Sequence, residues 1–132
     1  NVSPAVLENR MVEDDLISQA MVYGDGKRYL TALVVPDYER IAGMAAELGL
    51  DDLKQDELDP HRLAKEPRLN TLFMGRIEAR LGDLASYERI KKVFLLDREL
   101  TEADGELTPT MKVKRKVVSE KFKRELDALY EE

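Results

Sequence analysis

The chain has 132 residues, of which 43% are hydrophobic and 36% charged, a composition typical of one globular domain with a single hydrophobic core. Its net charge of −6 argues against a broad nucleic-acid-binding face, so we expect no nucleic-acid partner. There is no cysteine, and His61 is the one histidine, so the sequence predicts no disulfide and no zinc-type metal site.

The first predicted elements are a short helix and a β-hairpin. Ser3 can cap the free amide groups of a helix whose first residue is Pro4. The apolar face of this helix comprises Leu7 and Met11. Residues 16–37 contain two runs of β-branched and apolar residues on either side of Asp25 and Gly26, a pair suited to a tight turn. This pattern predicts two antiparallel strands.

Two further helices and a connector follow. Asp37 can cap a helix that Gly49 ends. Its apolar face comprises Tyr38, Ile41, Ala42, Ala45 and Leu48. Residues 51–67 are charged and weakly periodic, so we expect a connector with one helical turn. Pro67 begins the most strongly periodic helix, which closes near Gly82. The apolar positions of that helix are Leu69, Leu72, Phe73, Ile77 and Leu81.

The remaining pattern predicts a third strand, a loop and a last helix. The strand covers residues 89–97, and Leu107 lies in a short strand after a loop through Asp104 and Gly105. The last helix has an apolar side formed by Val118, Phe122, Leu126, Leu129 and Tyr130. Helices and strands in mixed order indicate a small α+β domain, with an antiparallel hairpin and a further small sheet flanked by helices.

Most catalytic arrangements are absent from the sequence. A Ser-His-Asp triad would need His61, which lies in the charged connector. The motif GDGKR lacks the spacing of a phosphate-binding loop and lies between two predicted strands. No apolar run approaches the ~20 residues of a membrane-spanning helix. The chain starts at Asn1 rather than methionine, so we expect it to be part of a longer protein. No glycine-rich segment is suited to binding the phosphates of ATP, so we do not expect the chain alone to be a complete nucleotide-dependent enzyme.

A cationic cluster stands at the start of the last helix. Its members are Lys112, Lys114, Arg115 and Lys116. On composition alone, a solvated helix start whose side-chain stems cover apolar surface is the simplest interpretation. Cations in the first turn oppose the helix dipole, however, which favours a functional role. A nucleic-acid patch is a third interpretation, but the cluster lacks interleaved aromatic residues.

Four stretches in this order resemble a known family. They are NVSPAVLE, ISQAMVYGDGKRYLTALVVPD, SYERIKKVFLL and GELTPTMKVKR with the helix after it. Together they resemble the C-terminal domain of long-chain fatty acid–CoA ligases, which belong to the AMP-forming adenylating superfamily. The resemblance covers nearly the whole chain and is weakest between about Gly49 and Arg68. It implies a mobile lid domain spanning residues 1–132.

The resemblance also implies the chemistry. The wider superfamily usually has glycine before its catalytic lysine; Met111 stands there in this chain, so Lys112 matches the catalytic position, with Lys114 and Arg115 in the same motif. Such ligases join a fatty carboxylate to ATP to form an acyl-adenylate, then pass the acyl group to the thiol of coenzyme A. ATP, coenzyme A and Mg2+ are therefore expected for the full-length enzyme, with none bound by this domain alone.

The expected partner is the enzyme's own N-terminal adenylation domain, which would hold ATP and the fatty acid. The resemblance implies that the C-terminal domain swings between two poses, and that Asn1, Val2, Ser3 and Pro4 form its coenzyme A-side segment. A cytoplasmic location is expected, with peripheral membrane association of the whole enzyme left open. The alternatives are a ligase for another carboxylic acid and a non-catalytic α+β module that binds protein or RNA.

Overall fold

Runs rich in valine, leucine and isoleucine form the three strands of one mixed sheet. The computed structural model describes residues 2–85 and 88–131. The strands are β1 (Ile17–Tyr23), β2 (Leu30–Pro36) and β3 (Ile90–Leu95). The middle strand, β2, is antiparallel to β1 and parallel to β3. The α+β class is confirmed, and the predicted third strand joins the sheet of the hairpin.

Six α-helices surround this sheet within the described residues. They are α1 (Pro4–Met11), α2 (Tyr38–Gly43), α3 (Pro60–Leu63), α4 (Pro67–Leu81), α5 (Arg115–Lys121) and α6 (Lys123–Ala128). A 3-10 turn at Gln55–Glu57 precedes α3, so the charged connector contains slightly more helix than the one predicted turn. Side-chain oxygens of Ser3, Asp37, Asp59 and Glu66 cap the first four helices, as such residues do at free helix amides.

The sheet separates two hydrophobic clusters because successive side chains of a strand point to opposite faces. Along β2, Ala32 and Val34 belong to the larger cluster, whereas Leu33 and Val35 belong to the smaller one. Helices α1 and α4 pack in the larger cluster through residues such as Leu7, Met11, Leu69, Phe73 and Ile77. Helices α5 and α6 cover the opposite face through Val118, Phe122 and Leu126. The domain therefore has three layers.

The connection between β1 and β2 is longer than a tight turn. Asp25 and Gly26 do occupy the centre of a turn, in which the Lys27 amide donates to the Gly24 carbonyl at 2.9 Å. Gly26 has φ 77°, a left-handed conformation that glycine adopts without strain. Residues 27–29 then intervene before β2 begins, so the hairpin is confirmed with a wider loop.

Helix α2 is shorter than predicted. It ends at Gly43, a residue of low helix propensity. The next residue, Met44, has φ −116°, which lies outside the helical region. The chain continues as turns through residues 44–49, and Gly49 has the left-handed φ of 78° that suits the end of a helical segment. The apolar pattern persisted beyond Gly43 because Ala45 and Leu48 still pack against the larger cluster.

The last predicted helix is two helices. Phe122 breaks it with φ −110° and ψ 26°, although the Phe122 and Leu126 amides still donate to the carbonyls four residues earlier. Val118, Phe122 and Leu126 are all buried on the sheet despite the break. The further small sheet consists of a single antiparallel bridge between Leu107 and Val113. No helix in the described part of the chain is long and apolar enough to cross a membrane.

Candidate functional site

The predicted catalytic residue lies on a short β-hairpin formed by residues 106–114, hereafter the lysine hairpin. Its stem is the Leu107–Val113 bridge, extended by a 2.8 Å hydrogen bond from the Lys114 amide to the Glu106 carbonyl. Near the tip, the Thr108 amide donates to the Lys112 carbonyl at 2.8 Å. Backbone bonds therefore define the path of the chain on both sides of Lys112.

Met111 turns the chain immediately before Lys112. It is the one non-glycine residue with positive φ among the described residues, at 67°. Its amide donates to the Thr108 carbonyl at 2.8 Å, and its side chain is 65% exposed. A left-handed residue is the conformation that glycine adopts most readily. The backbone at position 111 thus suits the glycine that the resemblance places there, and methionine occupies it at some conformational cost.

Lys112 is exposed at this tip. Its amide donates to the Thr108 hydroxyl at 3.1 Å, and that hydroxyl lies 3.1 Å from the Thr110 hydroxyl. The two threonines thus brace the turn around Pro109. Among residues 2–85 and 88–131, no carboxylate lies within ion-pairing distance of the Lys112 ammonium. A full positive charge on a long side chain is therefore presented to solvent from a well-defined backbone.

A buried carboxylate anchors the first strand of the lysine hairpin. The Glu106 side chain is fully buried and accepts hydrogen bonds from the Arg98 guanidinium at 2.9 and 2.7 Å and from the Lys121 ammonium at 2.9 Å. The Thr101 amide donates to it at 3.1 Å. Chiefly through the Arg98 hydrogen bonds, these contacts lower the pKa of Glu106 to about 2. The carboxylate is therefore ionised, and two cations compensate its burial.

An ion pair holds the other end of the hairpin. The Arg115 guanidinium donates to both oxygens of Glu8 on α1, at 2.6 and 2.9 Å, and to the Val22 carbonyl at 3.0 Å. The Glu8 carboxylate also accepts from the Val22 amide at 2.7 Å. The Glu8 contacts raise the pKa of Arg115. Helix α1, strand β1 and the start of α5 thus meet at one point.

A cleft of about 510 Å3 opens between α1, β1 and the lysine hairpin. Lys112 and Met111 line it on one side, and Glu8, Asn9 and Val12 of α1 line it on the other. Its floor includes Ser18 and Gln19 of β1. Because the lining mixes apolar, charged and amide side chains, the cleft can accept polar groups beside the exposed ammonium.

The segment predicted on the coenzyme A side leads directly into α1. Val2 is half-buried against the larger cluster, and the Ser3 hydroxyl accepts from the Val6 amide at 3.4 Å. Pro4 is the first residue of α1 and shares a second cavity, of about 370 Å3, with Arg115. Asn1 lies outside the described residues. The two predicted site segments are therefore neighbours, joined through the first turns of α1.

His61 lies apart from this site. It is exposed on α3, with Nδ1 3.2 Å from an Asp97 carboxylate oxygen and Nε2 3.4 Å from the Lys65 ammonium. Neither contact is a serine hydroxyl, so the described residues do not form a Ser-His-Asp triad around it. No group of three or more histidine, aspartate or glutamate side chains in the described part of the chain could hold a metal ion.

Sequence reasoning missed Glu8 and Glu106. Glu8 belongs to a predicted helix with exposed charges, and its partner Arg115 is 107 positions away. Glu106 follows Gly105 in what looked like an exposed loop. The one available signal was the unfavourable placement of cations at the start of α5, since a cluster of that kind calls for carboxylate partners elsewhere in the fold.

A family model and similar curated proteins both relate this chain to AMP-binding enzymes. The family model described as AMP-binding enzyme C-terminal domain matches residues 1–132. Long-chain-fatty-acid–CoA ligase FadD15 of Mycobacterium tuberculosis is 39% identical over 130 residues, which are 98% of this chain and 21% of that protein. Long-chain-fatty-acid–CoA ligase 6 of Mus musculus is 29% identical, over 98% of this chain and 18% of that protein. The chain thus spans about a fifth of these relatives.

Solved structures show the same fold. The adenylation domain of a carboxylate reductase from Mycobacterium chelonae matches 99% of this chain and 18% of that chain, with a TM-score of 0.75 and 25% identity. The adenylation domain of a carboxylic acid reductase from Segniliparus rugosus, in complex with AMP and a co-purified carboxylic acid, matches 98% and 18%, with a TM-score of 0.75 and 23% identity.

Proposed function

Since the chain belongs to the family of AMP-binding enzyme C-terminal domains, we propose that it is the mobile C-terminal domain of a long-chain fatty acid–CoA ligase and supplies that enzyme with the catalytic Lys112. Identity of 39% over 98% of the chain to a long-chain-fatty-acid–CoA ligase supports the substrate class. The remainder of the enzyme, an N-terminal adenylation domain, would bind ATP and the fatty acid.

The exposed lysine at the tip of an anchored hairpin is the observation that supports this role. Lys112 lacks a carboxylate partner among the described residues, so its charge is available to a ligand. The backbone around it is fixed by the Leu107–Val113 bridge and by the threonine bonds. A catalytic cation needs both properties, because it acts only when its position is set in advance.

The first half-reaction brings two anions together. A fatty carboxylate oxygen attacks the α-phosphorus of ATP, a new oxygen–phosphorus bond forms, and pyrophosphate leaves. The Lys112 ammonium would lie between the carboxylate and the α-phosphate oxygens, offsetting their repulsion and stabilising the charge of the transition state. On the resemblance to the ligase family, the Mg2+ ligands would belong to the N-terminal domain.

The second half-reaction would use a different pose. The thiol of coenzyme A attacks the acyl carbonyl of the adenylate, loses its proton, and displaces AMP. The segment Asn1–Pro4 would then approach the thiol path while the lysine hairpin withdraws. Domain closure of this kind assembles a site and excludes water from it. We propose a cytoplasmic location, where ATP and coenzyme A are available, and no nucleic-acid partner.

Activity assays on two proteins test this function. The 132-residue chain alone should melt cooperatively and form neither acyl-adenylate nor acyl-CoA. The full-length enzyme that contains it should release pyrophosphate and form thioester in the presence of ATP, coenzyme A and a C16 or C18 fatty acid. Activity with short-chain or aromatic acids in place of long-chain acids would support the alternative, a ligase for another carboxylic acid. Thioester synthesis by the chain alone would contradict the proposal.

A further inference from the structure

The ion pair between Glu8 and Arg115 joins the two predicted site segments. Arg115 lies three residues after Lys112, and Glu8 lies four residues after Pro4. We infer that Glu8 and Arg115 form a positioning pair, which holds the start of α5 against α1 and thereby sets the place from which Lys112 reaches its substrate. This inference rests on the proposed function of Lys112.

The start of α5 depends on this pair. Helices α1 to α4 each have a side-chain oxygen that caps their first amides, whereas α5 has none, and its first residues are the cations Arg115 and Lys116. Val118 is the one buried residue of α5. The backbone bond from the Lys114 amide to the Glu106 carbonyl ties this seven-residue helix to the lysine hairpin, and the hydrogen bonds of Arg115 tie its first turn to α1 and β1. The negative charge that favours a helix start is therefore provided by Glu8 from another helix.

The opposite side of the pair is firmly held. Helix α1 is capped by Ser3 and buries Leu7 and Met11 in the larger cluster. The Glu8 carboxylate is further oriented by the Val22 amide at 2.7 Å, and Arg115 reaches the Val22 carbonyl at 3.0 Å. When the pair is broken, the start of α5 and the hairpin before it should therefore shift more than α1 does.

Such a shift should affect one half-reaction more than the other. Three extended residues span at most roughly 10 Å, so a change in the position of Arg115 is transmitted directly to Lys112. Misplacement of a catalytic group by about 1 Å costs up to ~10²-fold in rate. Adenylate formation uses Lys112, and it should be slowed. Thioester formation from a completed adenylate does not use Lys112 and should be nearly unchanged.

The test compares two arginines with similar ion pairs in the full-length enzyme. Arg115→Met keeps an apolar stem of similar length but removes the guanidinium. Arg115→Lys keeps the charge but loses the two parallel hydrogen bonds. The matched control is Arg76→Met, because Arg76 also donates to both oxygens of a carboxylate, Asp14, at 2.9 and 2.9 Å, but joins α4 to the turn before β1. Single-turnover rates of both half-reactions and a thermal melt are measured for each.

We expect Arg115→Met to slow adenylate formation on the order of 10-fold, with Arg115→Lys between it and the unaltered enzyme. Thioester formation should stay within about 2-fold for both variants. Arg76→Met should lower the melting temperature at least as much, since it leaves a more deeply buried carboxylate unpaired, yet leave both rates unchanged.

Two results would overturn the inference. Equal slowing of adenylate formation by Arg115→Met and Arg76→Met, or equal slowing of both half-reactions by Arg115→Met, would mean that the pair only stabilises the fold. Absence of adenylate formation by the unaltered full-length enzyme is a different failure, because it would remove the proposed function itself and the inference with it.

Discussion

Arg98 closes a buried charge cluster by donating to both oxygens of Glu106, at 2.9 and 2.7 Å. The Glu106 side chain is fully buried, whereas Arg98 and Lys121 remain partly exposed. The cluster lies beneath the first strand of the lysine hairpin, whose backbone is bonded to the start of α5 through the Glu106 carbonyl. The hairpin is therefore anchored by a carboxylate that must be ionised to accept all the hydrogen bonds from Arg98 and Lys121.

This cluster predicts a specific dependence of stability on pH. The folded state lowers the pKa of Glu106 from an ordinary 4.5 to about 2, so its contribution is present above pH 4.5 and is lost as the pH falls towards 2. Glu106→Gln should reduce the free energy of unfolding by about 2 kcal/mol at pH 6. The variant should also show a smaller loss of stability between pH 4.5 and 2, measured by urea unfolding.

Glu102→Gln is the matched control for that experiment, since Glu102 is an exposed glutamate in the same loop. It should leave the free energy of unfolding within about 0.5 kcal/mol of the unaltered chain, as surface substitutions usually do. Identical pH profiles for the unaltered chain and the Glu106→Gln variant would show that the cluster does not contribute as described.

Because the backbone at Met111 is left-handed, substitutions at this position should differ in their effects on stability and on adenylate formation. A β-branched residue is strongly disfavoured at φ 67°, so Met111→Val should lower the free energy of unfolding by about 1–3 kcal/mol. It should also slow adenylate formation in the full-length enzyme by moving Lys112. Met111→Gly should leave both properties intact, because glycine accepts this conformation. Met111→Leu, unbranched at Cβ, is the control for the loss of methionine itself.

Thermal melts and single-turnover assays would rank these variants. The expected order of adenylate formation places glycine and leucine at the level of the unaltered enzyme and valine below it. A valine variant with full activity and stability would mean that the turn before Lys112 relaxes easily to another conformation.

At Gly24 the loop between β1 and β2 lies close to the C-terminal residues. A Cβ atom at Gly24 would lie 2.5 Å from the Tyr130 hydroxyl and 2.7 Å from the Tyr29 carbonyl oxygen. The Tyr130 hydroxyl donates to that carbonyl at 2.8 Å. Gly24→Ala should therefore cost about 1–3 kcal/mol in the free energy of unfolding, which denaturant titration measures.

Gly75 provides the control for that substitution. It lies exposed on α4, with no atom within 4 Å of an added Cβ. Gly75→Ala should raise the free energy of unfolding by about 1 kcal/mol, because alanine favours a helix interior. If Gly24→Ala proved as stable as the unaltered chain, the contact between the loop and Tyr130 would be absent in solution.

Local patterns allowed much of the fold to be predicted. Helix α4 could be predicted because its apolar residues recur about every four positions and glycine follows at its end, and the structure confirms it from Pro67 to Leu81. The parallel pairing of β3 with β2 was not foreseen. Fifty-three residues separate the end of β2 at Pro36 from the start of β3 at Ile90, and no local signal specifies pairing over such a distance.

For the candidate site too, the sequence predicted one part and the structure alone revealed the other. Lys112 could be predicted because its motif is contiguous in sequence, and the cations after it, which are unfavourable at a helix start, also indicated a functional role. The partners of that motif come from elsewhere in the chain: Glu8 from α1, and Arg98 from the loop after β3. Pairing between such positions depends on the packed layers, so the anchors of the lysine hairpin became visible only in the structure.

Lys112 has a useful neighbour for a direct test of its role. Lys114 is also exposed, but it lies at the start of α5 rather than at the hairpin tip; its amide donates to the Glu106 carbonyl, and its carbonyl accepts from the Val118 amide. Replacing either side chain by alanine should hardly change the melting temperature, because exposed loop lysines contribute little to packing. Each of these two variants removes one positive charge from the same cluster, so a difference between their rates would report on the position of the lysine and not on the loss of charge alone.

The central claim is tested most directly by single-turnover kinetics of the two half-reactions in the full-length enzyme with Lys112→Ala. Adenylate formation should slow by ~10²–10³-fold, while transfer from a pre-made acyl-adenylate to coenzyme A stays near the unaltered rate. Lys114→Ala should change both rates much less. Equal loss in the two half-reactions, or a collapsed melting temperature, would contradict the account and make Lys112 a structural residue.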